Sequence, residues 1–163
     1  MKHPRQVTEP QKLWETMFGH GQTTLSIVSK RTGTRKTFRV KRVPGKDGKP
    51  DPLKWWVSQL TGPDNRLSFT YLLMADGEAG RDGYIELKLK GKTPDAGWEH
   101  AAVKAFLWLF QVADGQKPGM ERVEVWLACD CTRCGKLLTV PKSISYMRNG
   151  QSLPRGPYCQ TQP

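Results

Sequence analysis

Between Thr23 and Val43 apolar and polar residues alternate with a period of two. Leu25, Ile27 and Ser29 share one side of the first stretch, and Phe38, Val40 and Arg42 share one side of the second. That is the pattern of two half-buried strands. Arg31-Thr32-Gly33-Thr34 between them has turn composition, so the pair predicts a β-hairpin. A second hairpin is predicted from Trp55-Trp56-Val57-Ser58-Gln59-Leu60 and Leu67-Ser68-Phe69-Thr70-Tyr71-Leu72, around the turn-forming Thr61-Gly62-Pro63-Asp64-Asn65-Arg66. Tyr84, Ile85, Leu87 and Leu89 alternate with Glu86, Lys88 and Lys90 as a further strand. Pro44 to Pro52 is rich in Pro and Gly and has no period, the mark of an exposed loop.

Past residue 92 the period changes. Thr93-Pro94-Asp95 offers a cap, a proline at the first helical position and an acid in the first turn. Trp98, Ala102, Ala105, Phe106, Leu109 and Phe110 then recur at steps of three and four, and Gly115 supplies a stop. This predicts one main helix whose aromatic stripe packs on a sheet. Val123, Val125 and Leu127 form a last strand. Residues 1–21 contain three scattered anchors, Leu13, Trp14 and Phe18, and read as a mobile N-terminal arm with one or two helical turns. The expected fold is therefore α+β: an antiparallel sheet of about five or six strands packed on one main helix. The arm would occupy residues 1–21, the core domain 22–127, and a cysteine-bearing appendage 128–163.

Composition adds a charge asymmetry. The 163 residues contain 26 Lys and Arg against 15 Asp and Glu, a net charge of +11. Ten basic residues lie between Lys30 and Lys54, with only Asp47 and Asp51 opposing them. Most of the excess thus sits in one hairpin and the loop behind it, an arrangement suited to phosphate binding, where each neutralised phosphate releases counterions. On the second strand Arg35, Thr37, Arg39 and Lys41 share a face, which predicts a continuous, solvent-facing basic stripe. No apolar run nears the roughly 18 to 20 residues needed to cross a bilayer, and no signal-peptide stretch follows Met1-Lys2-His3. A cytoplasmic protein without a membrane partner is expected.

All four cysteines fall in the last 35 residues: Cys129, Cys131, Cys134 and Cys159. Cys131-Thr132-Arg133-Cys134-Gly135-Lys136 is a C-x2-C-G knuckle, whose two-residue gap lets both thiolates reach one zinc ion at about 2.3 Å. Cys159 would return to complete the site. The fourth ligand is Cys129, or His100 in its place. A structural Zn2+ is favoured over two disulfides in a reducing cytosol. Four thiolates leave no open position for a catalytic water.

The stretch Cys131-x-x-Cys134-Gly135-Lys136-Leu137-Leu138-Thr139-Val140-Pro141-Lys142-Ser143-Ile144, followed by Gly156-Pro157-x-Cys159, resembles the C-terminal signature of a family of small bacteriophage proteins of unknown function. The Thr-Gly-Thr-Arg turn at Thr32, the Leu-Thr-Gly-Pro-Asp-Asn turn at Leu60 and the Ala-x-x-Ala-Phe-x-Trp helix at Ala102 are similar too. The resemblance implies phage origin and a zinc-binding tail, and no activity. This chain has a longer segment from Ser145 to Arg155 and the additional Cys129.

For function, phosphate-binding glycine loops, HExxH and nucleophile–histidine–acid sets are all missing from the sequence. The acids Asp76, Glu78, Asp82 and Glu86 read as the solvated face of a turn. An enzyme with a small-molecule substrate is therefore not expected. The leading expectation is a nucleic-acid-binding protein, for DNA or RNA, that uses Arg35, Lys36, Arg39, Lys41 and Arg42 of the hairpin and Lys46, Lys49 and Lys54 of the loop. The indole of Trp55 would stack on an unpaired base, and Arg133 and Lys136 of the knuckle would add a second positive surface. The alternative is a phage effector that binds and blocks a host protein complex, with the basic patch aimed at an acidic or nucleic-acid-binding partner.

Overall fold

A computed structural model describes residues 5–77, 84–130 and 137–139, together with the backbone of 143–146 and 152–155. Seven strands form one antiparallel sheet: β1 (Gln6–Val7), β2 (Gln22–Ser29), β3 (Arg35–Pro44), β4 (Pro50–Leu60), β5 (Phe69–Asp76), β6 (Glu86–Lys88) and β7 (Val123–Leu127). Their spatial order is β1-β7-β2-β3-β4-β5-β6. Two helices, α1 (Pro10–Phe18) and α2 (Ala101–Ala113), contribute to the same core. The fold is α+β, as the alternating and helical periods predict.

Strands β2 to β6 are a meander. Gly33, at φ 72°, closes the first hairpin in a backbone region that only glycine enters freely. The second hairpin closes through Thr61 N–H donating to Ser68 O at 2.9 Å. The expected loop after Pro44 is shorter than its composition suggests, because β4 begins at Pro50 and Asp51. From β6 the chain returns through α2 to place β7 beside β2, with Ser26 opposite Trp126 and Ile27 opposite Val125.

One face of the sheet carries the core. Leu25, Phe38, Val40, Val57, Leu73, Ala75 and Val125 meet Val103, Phe106 and Leu109 of α2, all fully or almost fully buried. Phe38 and Phe106 pack edge to face, 5.4 Å between ring centres, a preferred aromatic geometry. The helix starts later than Thr93-Pro94-Asp95 suggests. Gly97 sits at φ 53° in a short 3-10 turn, Gly97–Glu99, and His100 caps α2 with its Nδ1 accepting from Ala102 N–H at 3.2 Å. That ring nitrogen thus serves the helix end. Trp98, expected in the buried stripe, lies in the 3-10 turn and is exposed.

The N-terminal segment differs from the expected mobile arm. β1 pairs with β7, and Leu13, Met17 and Phe18 of α1 join the core cluster. Phe18 packs edge to face on Trp55 at 5.1 Å and Trp14 on Phe18 at 4.8 Å. Three apolar anchors at helical spacing are enough to seat a nine-residue helix once a sheet offers them a surface.

On the opposite face Ser26 and Thr37, paired across β2 and β3, are buried and share a 2.6 Å hydroxyl hydrogen bond. Removing one hydroxyl strands the other away from water. Ser26→Ala should therefore lower unfolding stability by about 1 to 3 kcal/mol, read as a fall in the urea midpoint without a change in slope. An unchanged midpoint would show that the pair contributes nothing net.

Candidate nucleic-acid interface

The period of two sorts the basic residues of β3 between two faces. Lys36, opposite Ile27, and Arg42, opposite Trp55, fall on the helix side. Lys36 borders a small apolar hollow of about 250 Å3 with Ala105 and Trp108 of α2. The Arg42 guanidinium stands over the Trp55 ring, 5.9 Å from its centre. Arg35, Arg39 and Lys41 fall on the outer face, but Thr37 between them is buried. The expected continuous basic stripe is therefore interrupted, and Lys36 and Arg42 do not belong to it.

The tryptophan pair is also divided. Trp55 shares parity with Val57 and is turned into the core at 4% exposure, while Trp56 lies on the outer face at 38%. An indole locked against Phe18 cannot stack on a base. Of the two indoles Trp56 is the one open to solvent, and the parity of Val57, a core residue, is the signal in the sequence that distinguishes them.

On the outer face two cross-strand rows meet. Lys41, Trp56, Met74 and Lys88 are neighbours across β3, β4, β5 and β6. Arg39, Ser58 and Tyr71 form the next row. Trp56, Tyr71 and Met74 floor a groove of about 720 Å3, whose lip is Lys90-Gly91-Lys92 after β6. Partial burial raises the Tyr71 phenol above its ordinary pKa, so it is neutral at physiological pH. Lys88 Nζ stands 3.4 Å from the buried carboxylate of Asp76, which corrects the expectation of a solvated Asp76. Glu86 is exposed on β6, and Glu78 and Asp82 lie outside the described residues. Lys46 and Lys49 are exposed at the β3–β4 hairpin tip, and Lys54 is half-buried opposite Asp76.

Beyond Ser58 and Tyr71 the same two strands run into the β4–β5 turn. The Asp64 carboxylate accepts from the backbone N–H groups of Arg66 and Leu67 at 2.8 and 2.9 Å, which lowers its pKa from the ordinary value. The Arg39 guanidinium lies 4.4 Å from the centre of the Phe69 ring and donates to Arg66 O at 3.2 Å. Desolvation lowers the Arg39 pKa, yet a guanidinium stays charged in proteins. Arg39 is thus held against the β4–β5 turn.

The same turn holds the tail. Asn65 Nδ2 donates to Leu137 O at 2.8 Å, and Arg66 pairs with Asp130. Here β8 (Cys129–Asp130) and β9 (Leu137–Leu138) form a two-stranded ladder, with Cys129 and Leu138 buried together. Residues 131–136, which carry Cys131, Arg133, Cys134 and Lys136, join these strands and lie outside the described residues, as does Cys159. A second ladder pairs β10 (Ser143–Tyr146) with β11 (Ser152–Arg155), and β11 lies against β8. The chain segments leading into all four cysteines are therefore brought to one small substructure, and an all-thiol donor set suits zinc. Among the described residues, no group of three His, Cys, Asp or Glu side chains is placed to hold a metal ion, and no helix is long and apolar enough to cross a membrane.

No family model matches the chain, and no curated protein or solved structure is similar to it beyond chance.

Proposed function

We propose that this small phage-type protein binds single-stranded nucleic acid, DNA or RNA, across the outer face of its sheet. The observation that carries the reading is the row Lys41, Trp56 and Met74 beside Tyr71: an open aromatic floor next to a cation, on a chain of net charge +11. Unpaired bases offer such a floor their π-faces, whereas a duplex keeps them stacked inside. Lys41, with Lys46 and Lys49 at the hairpin tip, would meet the phosphates. Arg35 stands at the start of the same strand. We propose further that Cys131, Cys134 and Cys159, with Cys129 as fourth ligand, hold a structural zinc that fixes the tail. Arg133 and Lys136 would flank it.

Fluorescence anisotropy with a labelled oligonucleotide tests the interface. Trp56→Ala should weaken binding about 5- to 150-fold, the equivalent of 1 to 3 kcal/mol for one stacked base, and Trp56→Phe should restore part of it. Lys41→Glu should weaken it further at low salt than at high salt. If Trp56→Ala binds like the parent chain, the outer face is not the interface. If no strand binds at 50 mM salt, the nucleic-acid reading falls and a protein partner for the same basic face takes its place.

A further inference from the structure

We infer that the Lys90-Gly91-Lys92 turn is the phosphate clamp of a stacking pocket that reads neither base identity nor sugar, so that its ligand class is any unpaired strand. This rests on the proposed nucleic-acid interface and specifies it. The floor of the 720 Å3 groove is Trp56, Tyr71 and Met74, and its lip is this turn. A thioether and two ring faces offer an inserted base mainly contact area and few hydrogen-bonding groups; the Tyr71 hydroxyl and the donor-only Trp56 indole N–H are the strong polar groups among the three side chains. Discrimination among bases needs a donor–acceptor match to their edges, and telling RNA from DNA needs a partner for the 2′-hydroxyl. The lining supplies positive charge, on Lys90 and Lys92, where a phosphate would sit beside a stacked base.

The turn also suits that role. Gly91 has φ 66°, and a Cβ added to it would meet nothing within 4 Å, so its conformation is set by the chain and leaves open space above the backbone. Thr93 Oγ1 donates to Lys90 O at 3.2 Å and closes the turn from behind. Lys90 and Lys92 are both exposed, one residue apart on either side of a glycine, and they face the aromatic floor from the β6 side while Lys41 faces it from β3. The net effect is a base platform with cations on both banks.

The test compares labelled dT12, dC12 and rU12 on the full chain between 50 and 200 mM salt. Affinities for the three strands are expected to agree within about threefold, as for stacking-dominated binding. The Lys90→Ala/Lys92→Ala double variant should bind all three more weakly by a common factor. Its log–log salt slope should fall in magnitude by about 1.4, because each lost phosphate contact on a single strand removes about 0.7. Both lysines are exposed, so an unchanged thermal midpoint is expected to accompany the loss. A preference above about tenfold for one base or one sugar would overturn the neutral pocket. An unchanged slope in the double variant, with binding intact, would overturn the clamp. Absence of binding to every strand by the parent chain would instead overturn the underlying interface, so the two failures are separable.

Discussion

Trp55→Ala should destabilise the fold by about 3 to 5 kcal/mol, the usual cost of truncating a buried aromatic residue. Its ring lies among Phe18, Arg42 and the strand neighbours Ala75 and Val57, at 4% exposure, so the vacated volume borders α1 and cannot easily collapse. Denaturant unfolding would show the midpoint moving with the slope unchanged, while strand affinity measured under conditions where the variant is folded stays within about threefold of the parent. Trp55→Phe provides the control. Among the described residues Trp55 Nε1 is buried without a hydrogen-bond partner, a group whose desolvation costs about 1 to 3 kcal/mol. Phenylalanine removes that N–H and keeps most of the packing, so it should recover more than half of the loss. Neighbouring tryptophans thus give opposite phenotypes, one in stability and one in binding, and a Trp55→Ala variant that folds normally would contradict the core placement.

Removing the proposed structural zinc should have the other large effect. With a structural zinc, metal binding energy is folding energy, on the order of 10 kcal/mol at neutral pH. One zinc per chain is expected by elemental analysis, with four titratable thiols once it is released. Chelation should open the segment beyond residue 128 to trypsin at Arg133 and Lys136, while the main thermal transition of the sheet persists, because among the described residues the main core cluster contains none past Leu127. Cys159→Ser should act like the chelator. A chain that purifies without zinc, or whose mass shows two disulfides, would contradict the site.

Most of the sheet was legible because period-two alternation and turn chemistry agree. Gly33 lies where the first turn needs it, and the face shared by Leu25, Ile27, Phe38 and Val40 is the buried one. What escaped was decided by tertiary partners. β1 has only two residues, too few for a period, and exists because β7 offers it an edge. The start of α2 moved from Thr93 to Ala101 because Gly97 and His100 make a turn and a cap that compete with the Thr-Pro-Asp signal. At the candidate site charge density marks strand β3 but does not say which face each cation occupies. Lys36 and Arg42 are as basic as Lys41, and only parity against Ile27 and Val40 separates them. Lys90 and Lys92 carry no local signal, since their relation to Trp56 arises from pairing across three strands.

The position of β7 also has a consequence for how the chain is made. Its partner β2 ends at Ser29, and Val123–Leu127 lies about a hundred residues later, roughly 5 to 20 s of synthesis on a ribosome. During that interval the meander from β2 to β6 can pair locally, but the Leu25–Ile27 edge has no neighbour and the helix that covers the core face is only just emerging. An unpaired, apolar strand edge is a template for other chains. The nascent protein should therefore be most prone to aggregation, and most dependent on holding factors, in ribosome-bound fragments that stop short of residue 123.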